Sequence, residues 1–148
     1  VTPAPALGGQ GSRRLLDRPG PTTRTLVTLA AVLGVAVHLW GLYRDHGPPS
    51  VGWFPQADKL EHLVGFGLPC LLVLLALHVH AAARGARPRM RTVVGVAVLF
   101  AVHAVVSEVV QGEAYTTRSG DPLDALADLA GTTLGLLGYL ALRGRRER

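Results

Sequence analysis

The side chains able to do chemistry fall into short groups: Asp58-Lys59-Leu60-Glu61-His62, Glu108-Val109-Val110-Gln111, Arg118, and Asp124 followed by Asp128. A carboxylate one helical turn, about 6 Å, before an imidazole can orient the ring and make it more basic, so Asp58 and His62 are candidates for a general base or a proton relay. Glu108 and Gln111 would share a helix face and can accept and donate hydrogen bonds to a sugar or polar headgroup. Lys59, a point charge, and Arg118, a two-pronged fork, suit a phosphate or carboxylate. With Asp124 and Asp128 they would form an anion-binding pocket that contains a base. The same residues have a plainer use, in which Lys59 and Arg118 neutralise Glu108, Asp124 and Asp128 and hold helix ends together. Asp58 and Glu61 also have the spacing of a capping box, and Asp124 suits the positive end of a helix dipole.

The elements that carry these groups are set by hydrophobicity. The chain has 148 residues, 49% of them hydrophobic, and its mean hydropathy is positive, which places it among integral membrane proteins rather than soluble domains. Charge-free or nearly charge-free runs cover residues 25–43, 63–83, 92–107 and 129–142. About 20 residues are needed to cross a hydrocarbon core of about 30 Å, so the last two runs span only if extended to 110 and back to 123. That extension places Glu108, Asp124 and Asp128 just inside the membrane, where a charge persists only when paired, hydrated or used. Backbone groups in lipid must bond internally, and unbroken runs of this length exclude barrel strands. The expected fold is all-α, a bundle of four transmembrane helices at about 25–43, 62–83, 92–110 and 123–142.

Arginines set the expected orientation. They cluster in the amino-terminal segment (Arg13, Arg14, Arg18, Arg24), in the link between the second and third spans (Arg84, Arg87, Arg89, Arg91) and in the tail (Arg143, Arg145, Arg146, Arg148). Basic residues beside spans stay inside, so both termini should be cytoplasmic and the polar groups should lie on the outer face. Residues 1–23 read as a disordered basic cytoplasmic arm, and 144–148 as a basic cytoplasmic tail. The net charge of +5 is then a topology and lipid-headgroup signal, with no nucleic acid implied. No cleavable signal peptide is expected, and the single cysteine, Cys70, permits no intrachain disulfide.

Within the spans, Pro69 cannot donate to the Gly65 carbonyl and should bend its helix. Gly131 and Gly135 share a face with Asp124 and Asp128 and offer a surface for close helix approach. Phe66 reads as packing. His38 and His103, near the middles of their spans, read as buried hydrogen-bonded residues, and His78 and His80 point too far apart to share a metal. Serine-hydrolase, zincin and P-loop signatures do not occur. Gly120-x-x-x-Asp124-x-x-x-Asp128 matches half of the CDP-alcohol phosphotransferase motif, whose other half is missing. A metal set of Glu108, Asp124 and Asp128 lacks marking spacing, so neither metal nor cofactor is expected.

In order and spacing, Asp58-Lys59-x-x-His62-x-x-x-Phe66, Glu108-x-x-Gln111, Arg118 and Asp124-x-x-x-Asp128-x-x-Gly131-x-x-x-Gly135 resemble the VanZ-like family of small polytopic bacterial membrane proteins. The resemblance covers residues 24–143; the chain departs from it at Asp128, where the family more often has Asn. It implies a multi-pass protein of the bacterial plasma membrane, in a family whose founder is associated with teicoplanin resistance. The expected function is an outer-face pocket, built from Lys59, Glu108, Gln111, Arg118, Asp124 and Asp128, that binds an anionic lipid, a lipid-linked cell-wall precursor or a glycopeptide. The alternative is a membrane enzyme acting on a lipid-linked phosphate or sugar at the outer leaflet, with His62 as general base and Asp58 as its orienter.

Overall fold

The structure, a computed structural model, describes residues 18–44, 56–115 and 120–144. Most of the amino-terminal arm, most of the loop before the second span, Arg118 and the end of the tail lie outside the described residues. Four helices are present among them: α1 (Pro21–Tyr43), α2 (Ala57–Ala82), α3 (Met90–Ala114) and α4 (Pro122–Gly144). Each is long and apolar enough to cross a membrane.

Helix ends reach beyond the apolar runs. α2 starts at Ala57 rather than near residue 62, and α3 continues to Ala114 rather than stopping near 110. Apolar composition marks only the lipid-buried stretch, whereas helical hydrogen bonding continues into the polar interface. α4 begins with Pro122 directly after Asp121, whose carboxylate accepts from the Leu123 N–H at 2.8 Å, a side-chain cap followed by proline at the first helical position. α2 has no such cap. Its N-cap is Gln56, at φ +67° and without a side-chain cap bond, so the capping box expected of Asp58 and Glu61 does not form; Asp58 lies inside the first turn.

The packing is inverted relative to a soluble bundle. Leucines and valines such as Leu33, Val37, Leu99, Val109 and Leu134 are exposed, while His38, Ser107, Glu108, Gln111, Asp128 and Thr132 are buried. A contiguous apolar exterior around a partly polar interior is what a lipid solvent selects. The chain is a multi-pass membrane protein.

α2 and α4 form the central pair, with α1 packed on α2 and α3 on α4. Glycine makes their contact possible. A Cβ added at Gly131 would collide with the Leu63 carbonyl oxygen, one at Gly135 with the Gly67 carbonyl oxygen, and one at Gly67 would stand 2.8 Å from the Gly131 carbonyl oxygen. The Gly131/Gly135 face therefore lies directly on the α2 backbone, as its spacing predicts. Below it, Cys70, Leu74, Val93 and Tyr139 form an apolar core.

Pro69 has a consequence on a neighbouring helix. The Gly65 carbonyl that it leaves without an intrahelical donor is in hydrogen-bonding contact with His38 of α1. His38 Nε2 is 3.3 Å from His103 Nδ1, and His103 Nε2 is 3.0 Å from the Tyr43 hydroxyl. The two mid-span histidines are thus hydrogen-bonded to each other, joining α1, α2 and α3. Since the Gly65 carbonyl can only accept, His38 donates to it, His103 Nδ1–H donates to His38 Nε2, and the Tyr43 hydroxyl donates to His103 Nε2.

Candidate functional site

Helix directions divide the bundle into two polar ends. The start of α1, the α2–α3 link and the end of α4 lie together, as shown by Thr28 Oγ1 at 2.9 Å from His80 Nε2 and Arg143 Nη1 donating to the Pro88 carbonyl at 3.2 Å. Arg24, Arg84, Arg87, Arg89, Arg91 and Arg143 occur there. The opposite end gathers the start of α2, the end of α3 and the start of α4, and with them most of the residues singled out by sequence.

Lys59 organises the rim. Its Nζ donates to Asp58 Oδ2 at 3.0 Å, Asp121 Oδ2 at 2.7 Å and Asp124 Oδ1 at 2.5 Å. Lys59 beside it holds the Asp121 carboxyl below the usual carboxylate range, helped by the N–H of Leu123. Sequence reasoning missed Asp121. Its signal was an Asp-Pro step just before an apolar run, the usual start of a helix.

Beneath the rim His62 faces three carboxylates. Nδ1 is 2.9 Å from Asp128 Oδ1 and 3.8 Å from Glu108 Oε1, while Nε2 is 3.8 Å from Asp124 Oδ2. The carboxylate that orients the imidazole is therefore Asp128, across the glycine contact, and not Asp58. Asp58 bonds Lys59, and its side chain is 58% exposed. A side chain in the first turn of α2 is free to turn to the rim, whereas Asp128 is carried against His62 by the close approach of α4.

Burial is deep on this inner level. Asp128 is 0% exposed and the Glu108 side chain 8%. Glu108 Oε2 accepts from the Asp121 N–H at 3.0 Å, but among the described residues Glu108 Oε1, Asp128 Oδ2 and Thr132 Oγ1 are buried without a hydrogen-bond partner. Gln111, on the same face of α3, donates instead to the Leu42 carbonyl at 3.4 Å and so ties down the end of α1. Tyr115 acts alongside it, its hydroxyl donating to the Tyr43 carbonyl at 2.8 Å. Arg118, expected in the pocket, lies outside the described residues.

The chain matches no family profile, curated protein or solved structure. Its own geometry carries the functional reading.

An apolar groove adjoins the polar end. It holds about 470 Å3 and runs between α1 and α2, with Leu33, Gly34, Val37 and Gly41 on one wall and Val64, Leu68 and Leu72 on the other. Glu61 and His62 close its polar end. From Glu61 to Leu72 it extends about 16 Å along α2, close to half of a hydrocarbon core of about 30 Å. Chemically, the site combines an apolar groove about one leaflet deep with a histidine at its mouth whose ring also faces the carboxylate cluster.

Proposed function

We propose that this chain is a VanZ-like integral membrane protein of the bacterial cell envelope that binds a lipid-linked cell-wall precursor at the outer leaflet. The tail occupies the α1–α2 groove and the headgroup lies at His62, Glu108 and Asp124. The observation that carries this reading is that an apolar groove one leaflet deep ends on His62. Of the three ligands considered, an anionic lipid, a precursor and a glycopeptide, the precursor fits best. It combines a tail with hydroxyl and amide donors, and carboxylates are acceptors. Among the described residues the ammonium of the cluster, Lys59, is already bound by carboxylates, which disfavours a simple anion. The arginines at the other end support the outer leaflet, since basic span ends stay inside. Holding a precursor would change the susceptibility of the cell to glycopeptides such as teicoplanin.

One contact favours a second reading, a membrane enzyme acting on a lipid-linked phosphate or sugar with His62 as general base. Asp128 orients the ring through Nδ1 at 2.9 Å, which leaves Nε2 to take a proton from the ligand.

The test is expression in a glycopeptide-susceptible bacterium of the wild type, His62→Ala, Glu108→Gln and Gly41→Leu. A Cβ at Gly41 meets nothing within 4 Å, so leucine there fills the groove without displacing a helix. All three variants are expected to lose the shift in susceptibility at normal expression. Lipid profiling separates the readings: binding enriches an unchanged precursor in the purified protein, whereas turnover accumulates a product. Full activity of Gly41→Leu and His62→Ala would rule out both.

A further inference from the structure

The geometry points to a divalent transition-metal site, of the Zn2+ or Mn2+ type, formed by His62, Glu108 and Asp128. One donor atom from each lies within 4.8 Å of the others. Bonds of about 2.0–2.2 Å place neighbouring ligand atoms roughly 3–3.5 Å apart. The His62 Nδ1 distances of 2.9 Å to Asp128 Oδ1 and 3.8 Å to Glu108 Oε1 bracket that value.

Unsatisfied oxygens supply the independent reason. One imidazole proton on Nδ1 satisfies Asp128 Oδ1 alone, which leaves Glu108 Oε1 and Asp128 Oδ2 buried without a donor among the described residues. The side chains that carry them are 8% and 0% exposed. Two carboxylates beside one imidazole also remain net negative even when the ring is charged, and an uncompensated charge away from water is costly. A dication in their midst engages the facing oxygens and cancels that charge. It replaces the proton shared by His62 and Asp128, so the occupied site does not use this dyad as a base. An imidazole with two carboxylates suits zinc and manganese, whereas magnesium and calcium prefer oxygen alone. Three protein ligands leave coordination positions open, as in catalytic rather than closed structural sites, and one of the three, His62, also lines the groove. There a phosphate oxygen of a headgroup would complete the coordination.

The site is the one proposed above for the headgroup, but metal binding does not rest on the identity of that ligand and is measured without lipid ligand. Full-length protein in detergent micelles is stripped with a chelator, dialysed, and titrated with Zn2+ and separately with Mn2+. Bound metal is read by mass spectrometry and thermal unfolding is followed in parallel. The wild type is expected to bind one ion per chain and to melt higher when loaded. Glu108→Gln and Asp128→Asn should each bind at least about 10-fold more weakly, the loss that even an outer-shell partner can cause, and gain no thermal shift. His80→Ala, at the other end of the bundle, should bind like the wild type. Should Asp128→Asn fail to fold, Glu108→Gln carries the comparison, because the amide oxygen can still accept from the Asp121 N–H. A wild type without stoichiometric metal, or metal bound equally by wild type and Glu108→Gln, overturns the site. Either result leaves the headgroup reading standing, since groove filling at Gly41 tests that separately.

Discussion

Gly131→Ala tests whether the α2–α4 contact builds the site. Its Cβ would overlap the Leu63 carbonyl oxygen and stand 2.9 Å from the carbonyl carbon and 3.0 Å from Cα. These are backbone atoms, so no rotamer change relieves the overlap. Carbon atoms settle at about 3.5–4.0 Å, and the helices must part by nearly 1 Å. The His62–Asp128 bond, 2.9 Å long, would then stretch to about 3.9 Å and be lost. Overpacking costs about 1–3 kcal/mol and a hydrogen bond to a charged group about 1.5–3 kcal/mol, giving about 2.5–6 kcal/mol together. Cys70 is a native probe of this change. It is the single cysteine of the chain, is 0% exposed, and has its Cβ 3.2 Å from where a Cβ on Gly135 would stand. A maleimide reaches the thiol only when α2 and α4 separate. Under fast pre-equilibrium opening, 2.5 kcal/mol raises the labelling rate by about 70-fold, the expected minimum for Gly131→Ala. Gly95→Ala is the control, because a Cβ there meets nothing within 4 Å and alanine favours the helix by up to about 1 kcal/mol. Labelling of Gly131→Ala at the wild-type rate would refute the reasoning.

Three further outcomes follow. Lys59→Met strands the carboxylates of Asp58, Asp121 and Asp124 and should lower unfolding stability by about 1–3 kcal/mol, between the values for exposed and buried pairs, with partial recovery on adding Asp124→Asn; an unchanged denaturation midpoint would argue against the rim as a stabilising network. His38→Leu should cost about 1–3 kcal/mol by stranding the Gly65 carbonyl, and less when Pro69→Ala supplies an intrahelical N–H, so a double-mutant cycle without coupling would disprove that link. In a Cys70→Ala background, a membrane-impermeant thiol reagent applied to intact cells should label Gln56→Cys and spare Ala86→Cys; the reverse pattern would invert the proposed orientation.

Much of the bundle was legible because lipid leaves few options. Four apolar runs, two of them of spanning length only once a charge is admitted, the glycine pair at 131 and 135 and the gathering of Lys59, His62, Glu108, Asp124 and Asp128 at one end all followed from spacing and helix direction. What failed was partner choice across helices. Asp58 lies one helical turn before His62, yet Asp128 wins because glycine lets α4 touch the α2 backbone. Gln111 shares a face with Glu108, but its amide goes to the end of α1, which no periodicity reveals. Pro69 was readable as a break in hydrogen bonding, while the histidine answering it comes from another helix. Asp121 lies just outside an apolar run, where its Asp-Pro step marks a helix start and no buried charge singles it out.

The cluster has two levels, and they separate the structural use of these residues from the functional one. On the rim, Lys59 meets Asp58, Asp121 and Asp124 at 2.5–3.0 Å with access to solvent, which is how charges tie helix ends together. That pattern is complete without a ligand. On the inner level Glu108 and Asp128 each keep a buried oxygen without a donor among the described residues, a poor arrangement for stability alone, and native proteins accept such a cost mainly where function needs it. The two levels should therefore respond oppositely to isosteric neutralisation. Asp121→Asn weakens a satisfied ion pair and should destabilise the protein modestly. Glu108→Gln removes one of the two buried negative charges beside His62, so the metal-free protein should be as stable as the wild type or more so while ligand and metal binding are lost. Destabilisation of metal-free Glu108→Gln comparable to that of Lys59→Met would mean that the inner carboxylates, like the outer ones, serve only to hold the helices together.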